Sequence, residues 1–347
     1  MKLALCLSAG ALLVAAPALA DTNISIVLTP EGQQLASDLG KSSAELEGDL
    51  ERELGEALQL ARVDDFIRAF GDATSFSNRG VGVDYASNSK SLIFGVAGNL
   101  AVAAEDLDFD ADQGEYPVAG IAPNLTVMAG LNFSKWNLPK LTVFGNGFYR
   151  KADLGQLDGS ITNVGLHAQV RLIDETTGKS ASVVKWGGID VTGGVEWTRW
   201  TFGLERPLES SFPLTGSGGS TEVSTAATGR FDLSSQALVF PLEATTSLRF
   251  FHLLSVFGGA GIDVQSGTTK ADASLNGDLT ATDTGGGGDI DVGTASVTAN
   301  GEGGPSKGRL RFLAGVQFNL SKLRIFLQAN AIPLDTASVA FGLRVAL

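Results

Sequence analysis

The residues that could do chemistry in this chain are few and scattered. His167 and His252 are its only imidazoles. A catalytic His needs a nucleophile or a second titratable group within hydrogen-bond reach. His167 is followed by Ala168-Gln169 and His252 by Leu253-Leu254, so neither lies in a local Ser–His motif. Glycine-rich loops set between a strand and a helix, which would cradle a phosphate or a dinucleotide, are missing as well. These patterns give no catalytic residue and no cofactor, and the chain reads as a non-enzyme.

The acidic stretch 105–117 contains Asp106, Asp108, Asp110, Asp112 and Glu115. Asp108-x-Asp110-x-Asp112 has the opening of a calcium loop. Gln113 replaces the glycine such a loop needs at its sixth position, and Ala119 stands where the closing glutamate belongs. An EF-hand is excluded; weak divalent-cation binding by a solvated loop is what the spacing allows. Asp289 and Asp291 follow the four glycines 285–288 in a stretch of low complexity. Cys6 is the single cysteine and falls within the leader described next, so a mature chain would have no thiol chemistry.

Residues 1–20 have the form of a cleaved signal peptide: Lys2, an apolar run from Leu3 to Ala16, Pro17, then Ala18-Leu19-Ala20 before the cut. The mature protein is expected to start at Asp21. A net charge of −13 argues against nucleic-acid partners, because a phosphate backbone calls for a basic surface. No stretch after residue 20 is apolar for the roughly 20 residues a membrane helix requires.

Residues 21–77 carry the helical signal. Ser42 and Glu45 have capping-box spacing, and Leu46, Leu50, Leu54 and Leu58 follow at intervals of four. Val63, Ile67 and Phe70 continue the stripe towards Gly71, and the other faces are acidic. The short run 78–85 reads as a strand candidate.

From about residue 91 onward the pattern has period two. In 118–134, Ile121, Leu125, Val127 and Leu131 alternate with Asn124, Thr126, Gly130 and Asn132. In 308–320, Leu310, Phe312, Val316 and Phe318 alternate with Arg309, Arg311, Gln317 and Asn319. Ten such segments fall near 91–104, 118–134, 139–153, 158–173, 188–206, 236–250, 253–266, 308–320, 322–332 and 337–347, with 223–233 and 78–87 as further candidates. Ile161 is out of phase in its segment. In 188–206, Trp197 and Trp200 fall on opposite faces, for which a bulge near Thr198 is one explanation. Trp197, Trp200 and Tyr149 could form interfacial aromatic girdles or pack internally. The segments run to 10–15 residues, enough to cross an outer membrane when tilted, whereas soluble strands average about 5–6.

These features predict an all-β fold: an antiparallel transmembrane β-barrel of about 10 strands (12 if both extra candidates count), preceded by an amphipathic helix. The expected division is 1–20 signal peptide, 21–77 helical segment acting as a plug or lying in the periplasm, and 78–347 barrel. Connections after odd-numbered strands, including 207–235 and 267–307, read as long external loops; most of the others are tight turns. This phase turns Arg171, Arg249, Lys322, Arg324 and Arg344 inward near the periplasmic end, with Glu243 and Asp263 also inward. The cluster is either the lining of an anion-selective pore or a paired structural network. Docking the acidic helix 42–70 there would neutralise it; pairing of that helix with a periplasmic partner is the alternative.

On its strand pattern and its closing segment Val339-x-Phe341-x-Leu343-x-Val345-x-Leu347, the chain resembles the bacterial outer-membrane β-barrel class over about 91–347. Members usually end in an aromatic residue; this chain ends in Leu347. A helical segment before the barrel is similar, more distantly, to fatty-acid transporters with an N-terminal hatch, although their Asn-Pro-Ala motif is missing. The resemblance implies location in the outer membrane, contact with its lipid, and insertion by the barrel-assembly machinery. It implies either a passive channel or transporter for small solutes, or a non-transporting surface barrel that binds partners through long loops. Removing Val339–Leu347 should abolish folding into the membrane, because an open barrel leaves backbone groups that lipid cannot satisfy. Loss of the heat-modifiable form on gels measures it; a truncated chain that keeps that form contradicts the closing role of this strand.

Overall fold

The computed structural model describes residues 21–57, 63–86, 92–104, 119–133, 140–176, 183–282 and 288–347. The acidic stretch 105–117 and the leader lie outside the described residues. The chain runs β1 (Asp21–Leu28), α1 (Pro30–Asp38), α2 (Ser43–Ala57) and α3 (Val63–Phe76), then β2 (Leu92–Ala104), β3 (Ala119–Asn132), β4 (Leu141–Asp153), β5 (Leu157–Ile173) and β6 (Val184–Gly216). There follow β7 (Gly219–Phe250), β8 (Leu254–Thr282), β9 (Asp289–Gly303), β10 (Gly308–Leu320), β11 (Leu323–Ile332) and β12 (Thr336–Ala346).

Ten strands close into a ring. The order β8-β10-β11-β12-β2-β3-β4-β5-β6-β7 is antiparallel throughout, and β7 pairs back onto β8. The ring strands are the ten segments read from the sequence. Their outward positions form an apolar belt: Phe94, Val96, Leu125, Val127, Leu166, Leu242, Ile262, Phe312, Leu327 and Phe341 are all exposed. Inward positions between them are buried and polar, among them Asn99, Asn124, Thr126, Asn163, Glu243, Asp263, Arg311, Gln317 and Arg344. A water-soluble sheet would invert this arrangement; only a lipid environment favours apolar groups outside and polar groups inside. Among the described residues no helix is long and apolar enough to cross a membrane.

Three ring strands do not stop at the membrane. β6, β7 and β8 have 33, 32 and 29 residues, and at about 3.4 Å per residue each reaches roughly 100 Å. About 9–11 tilted residues cross the hydrocarbon, so the rest stands beyond one rim. There β9 pairs with the upper half of β8, and β1 pairs with β9 from Asp21↔Asn300 to Leu28↔Gly293. The result is a five-stranded outer sheet, β6-β7-β8-β9-β1. The stretches 207–235 and 267–307, expected to be loops, are therefore mostly strands. Their many Ser, Thr and Gly residues hid a weak alternation of which only one face is apolar.

Helices α1 and α2 pack on that apolar face. Thr29 caps α1, accepting from the Gly32 N–H at 3.0 Å, and Pro30 starts the helix. The capping box of α2 is present: the Ser42 N–H donates to Glu45 Oε2 at 2.7 Å, and these bonds hold the Glu45 carboxyl below its usual range. Leu46, Leu50 and Leu54 are buried with Leu35, Leu39, Phe212, Leu214, Val223, Leu279 and Val292. Leu46, Leu50 and Leu54 thus find their apolar partner on the outer sheet, Leu58 lies outside the described residues, and Ile67 and Phe70, which continue the stripe, pack in the lumen. Leu50→Ala here should cost about 2–5 kcal/mol, the usual range for emptying a packed leucine site.

The helix read over 42–70 is described in two parts, α2 and α3, and 58–62 lie outside the described residues. The segment 78–85 is no strand; it continues from α3 through the barrel interior. No bulge occurs at Thr198: β6 keeps its register with β7 from Glu196↔Val239 to Gly216↔Gly219, and its irregularity lies at Trp186/Ile189. Trp200 points inward, buried, so it is no girdle residue, whereas Trp197 and Tyr149 face outward.

Leu327 faces out near the middle of β11, opposite Val316 and Phe341. Leu327→Arg should destabilise the barrel by about 2–4 kcal/mol, the cost of a cation at the bilayer midplane. Unfolding titrations in lipid vesicles measure it; an unchanged midpoint would show that this face does not meet lipid.

Candidate functional site

The lumen is occupied along its length by residues 63–86. At the rim nearest the outer sheet, α3 presents Phe66, Ile67, Phe70 and Ala73 to Ala103, Ala122, Trp200, Leu233, Ala271 and Ala299, with Ile161 and Phe202 packed around them. Phe70 and Trp200 meet edge to face with centroids 6.3 Å apart. This contact explains both irregularities in the sequence pattern. Ile161 and Trp200 are apolar and inward because the lumen wall at that height meets a helix and not water. Gly120 lets α3 come close: a Cβ there would lie 2.4 Å from backbone atoms of Ala69 and Phe70. Asp72 pairs with Arg309 and accepts from the Ser306 N–H at 2.8 Å. Thr74, Ser235 and Thr269 form a chain of hydroxyl contacts at 2.8 and 2.9 Å.

Below α3 the chain loses regular structure, and the wall satisfies its backbone instead. The Asn99 amide donates to the Ser77 and Arg79 carbonyls at 2.7 and 2.9 Å. Asn78 bonds to Thr198 and Asn124. Gly80 has φ +79°, and a Cβ there would strike the Gln328 amide. A side chain at this position would be both strained and blocked.

Two ionic groups follow. Arg79, 2% exposed, lies 2.6 Å from Glu196 and 3.1 Å from Asp263. Arg311 shares Asp263 at 3.1 Å and reaches Glu243 at 2.6 Å, while His167 Nε2 stands 3.3 Å from Glu196. One turn of chain further, Asp84 receives Arg324 at 2.7 Å and Arg344 at 3.5 Å. Arg344 also donates to the Val83 carbonyl at 2.5 Å and lies 3.6 Å over the Phe326 ring. The two groups hold four guanidiniums (Arg79, Arg311, Arg324, Arg344) and four carboxylates (Glu196, Asp263, Glu243, Asp84). The lumen segment supplies one of each. Val83, Tyr85 and Ala86 then pack among Ile93, Met128, Phe144, Phe257 and Leu313, and Arg249 donates to the Ala86 carbonyl at 2.9 Å at the far rim.

Of the basic residues picked out from sequence, Arg171, Arg249, Arg324 and Arg344 lie towards the same end of the lumen and bind different groups there. Arg324 and Arg344 grip Asp84, and Arg249 binds the end of the lumen segment. Arg171 pairs with Asp190 at 3.0 Å and Glu175 at 3.7 Å. Lys322 is exposed in the β10–β11 turn and does not face inward, because that turn carries it past the rim. His252 lies in the β7–β8 turn with φ 58°. Of the helix over 42–70 considered as their partner, α2 sits on the outer sheet at the opposite end, and α3 enters the lumen at the rim nearest that sheet. Arg79, Asp84, Glu196 and Arg311, which hold the lumen together, were not assigned a site role from sequence. Arg79 and Asp84 fell in a run that mimics a strand. Among the described residues no group of three His, Cys, Asp or Glu side chains is placed to hold a metal ion.

The fold and this interior define a ten-stranded transmembrane β-barrel of the outer-membrane type, filled by its own N-terminal segment. The chain belongs to the Lsa36-like family, whose match covers residues 24–347 and so includes the outer sheet, the lumen segment and the ring. No curated protein matches it. Among solved structures, it is similar to the translocator domain of the autotransporter NalP from Neisseria meningitidis (10% identity, TM-score 0.31, 88% of this chain and 98% of that one). It is similar also to the outer membrane protease OmpT from Escherichia coli (9%, TM-score 0.31, 76% and 100%) and to the toluene transporter TbuX from Ralstonia pickettii (8%, TM-score 0.26, 81% and 99%).

Asp84→Ala removes the buried carboxylate that pairs with both Arg324 and Arg344. Breaking a buried pair in this way costs about 3–5 kcal/mol. The temperature at which the folded gel form is lost should drop accordingly; an unshifted transition would mean that Asp84 does not bind the two arginines.

Proposed function

We propose that this protein is a non-conducting surface barrel of the outer membrane, whose role is to hold the outer sheet and its two helices in place for binding partners. The observation that carries this reading is the filled lumen. Residues 63–86 occupy the interior from one rim to the other, with ion pairs of 2.6–3.1 Å in the middle. A passive channel for small solutes, the other reading of the polar lumen, would require this segment to withdraw. Withdrawal would take Asp84 from Arg324 and Arg344, take Arg79 from Glu196 and Asp263, and expose Phe66, Ile67 and Phe70 to a wet lumen.

The surface offered for binding is the polar face of the outer sheet. Adjacent rows there read Ser25, Ser296, Asn276, Thr228 and Asn23, Thr298, Ser274, Arg230 across β1, β9, β8 and β7. Asn23, Ser25, Thr298, Asn276, Thr228 and Arg230 are exposed. Short hydroxyl and amide side chains on a sheet supply many hydrogen-bond donors and acceptors at little cost in side-chain entropy. Such a surface fits a folded protein partner bound largely through polar contacts.

Conductance across a planar bilayer tests the reading. The intact protein should give no steady pore current, and a form lacking residues 63–86 should conduct if its ring still closes. Gly120→Val gives a milder version by pushing α3 off the wall. A steady current through the intact protein would falsify the non-conducting reading.

A further inference from the structure

The path of the chain has a consequence for how the molecule is made. β1 is hydrogen-bonded into the outer sheet, and α1 and α2 pack on that sheet's apolar face. From there α3 and residues 77–86 pass down the lumen to the opposite rim, where Arg249 meets the Ala86 carbonyl. β2 starts at that rim, with Leu92 and Leu347 exchanging hydrogen bonds at 3.3 and 2.8 Å. Every barrel strand thus follows a segment that has already traversed the ring in the other direction. An N-terminal part that begins on the near side of the membrane must cross to the far side before the structure is complete.

Two routes exist, and the structure separates them. A route through lipid would carry Glu45, Glu47, Asp49, Glu51, Arg52 and Glu53 of α2 across hydrocarbon, where each charge is opposed by a large desolvation cost. The lumen wall is polar, and the ring is hydrogen-bonded all round, including the closing pair β7–β8, so a segment inside it cannot have slipped in sideways after closure. We propose that the barrel exports its own N-terminal segment: residues 21–57 cross through the lumen, and 63–86 stay behind to fill it. Once outside, the segment is held there by its fold. Leu35, Leu39, Leu46, Leu50 and Leu54 bury against Phe212, Val223, Leu279 and Val292, which are available only on the strand extensions beyond the rim. Retreat would re-expose all five leucines, so folding on the far side acts as a ratchet on the crossing. The proposal rests on the reading that the outer sheet faces the outside of the cell.

The cleaved chain is expected to be free of cysteine, which permits single-site labelling. Ser25→Cys reports the position of β1, and Ser220→Cys reports the β6–β7 hairpin; both sites are exposed. A membrane-impermeant maleimide applied to intact cells should label both. If Ser220→Cys is labelled and Ser25→Cys reacts only after permeabilisation, the export proposal fails while the orientation stands. If neither reacts until the membrane is opened, the orientation is wrong and the proposal falls with it. A second arm tests the conduit. With a small disulfide-locked domain inserted between Ala20 and Asp21, labelling of Ser25→Cys should be lost on intact cells. It should return when that domain's cysteines are replaced so that it cannot lock. Equal labelling of the locked and unlocked fusions would overturn passage through the lumen.

Discussion

Charge neutrality in a space without bulk water is the constraint on which this molecule depends. Arg311, Arg324 and Arg344 project from the barrel wall into the lumen at 5% exposure or less. Buried guanidiniums are tolerated only with carboxylates and hydrogen bonds around them. The wall supplies Glu196, Glu243 and Asp263 in mid-lumen, and its Asp190, nearer the far rim, is taken by Arg171. The lumen segment evens out this distribution, bringing Arg79 to Glu196 and Asp263 and Asp84 to the two arginines. Residues 77–79 of that segment also need the wall, because Asn99, Asn124 and Thr198 satisfy backbone and amide groups that have no helix or strand to join. Wall and filling therefore stabilise each other, although one forms a sheet and the other does not.

The ring was legible from sequence because lipid enforces a strict period of two. Wherever Leu, Val or Phe alternate with Asn, Gln or Arg, the structure has a strand facing as read. The outer sheet was not legible as a sheet. Above the membrane only the covered face must be apolar, and in β8 and β9 much of that face is alanine, at Ala271, Ala281, Ala295 and Ala299. A Gly-, Ser- and Thr-rich strand of that kind looks like a loop. The stripe on α2 was read correctly as a demand for an apolar partner, but its partner could not be found while those strands were taken for loops.

The lumen segment was the hardest part. Val81, Val83 and Tyr85 alternate with Gly80, Gly82 and Asp84 much as a strand would. Two faint signs pointed to it. Ile161 and Trp200 broke phase on neighbouring barrel strands, β5 and β6, and both are paired at the same height, Ile161 opposite Trp200. Two apolar intrusions at one level of an otherwise polar interior mark the place where something apolar docks. The aromatic contact with Phe70 is what docks there.

The unbroken passage of β6, β7 and β8 from the membrane into the outer sheet gives the protein a mechanical character. No hinge or linker separates the part embedded in lipid from the part that stands above it. In antiparallel sheets the hydrogen bonds lie across the strand direction. A partner pulling on the outer sheet away from the cell would therefore load many of these bonds in shear at once instead of peeling them open singly. The tension would pass straight into the closed ring, so the grip of such a contact under flow would be set by the partner's own bonds before it was set by the anchor.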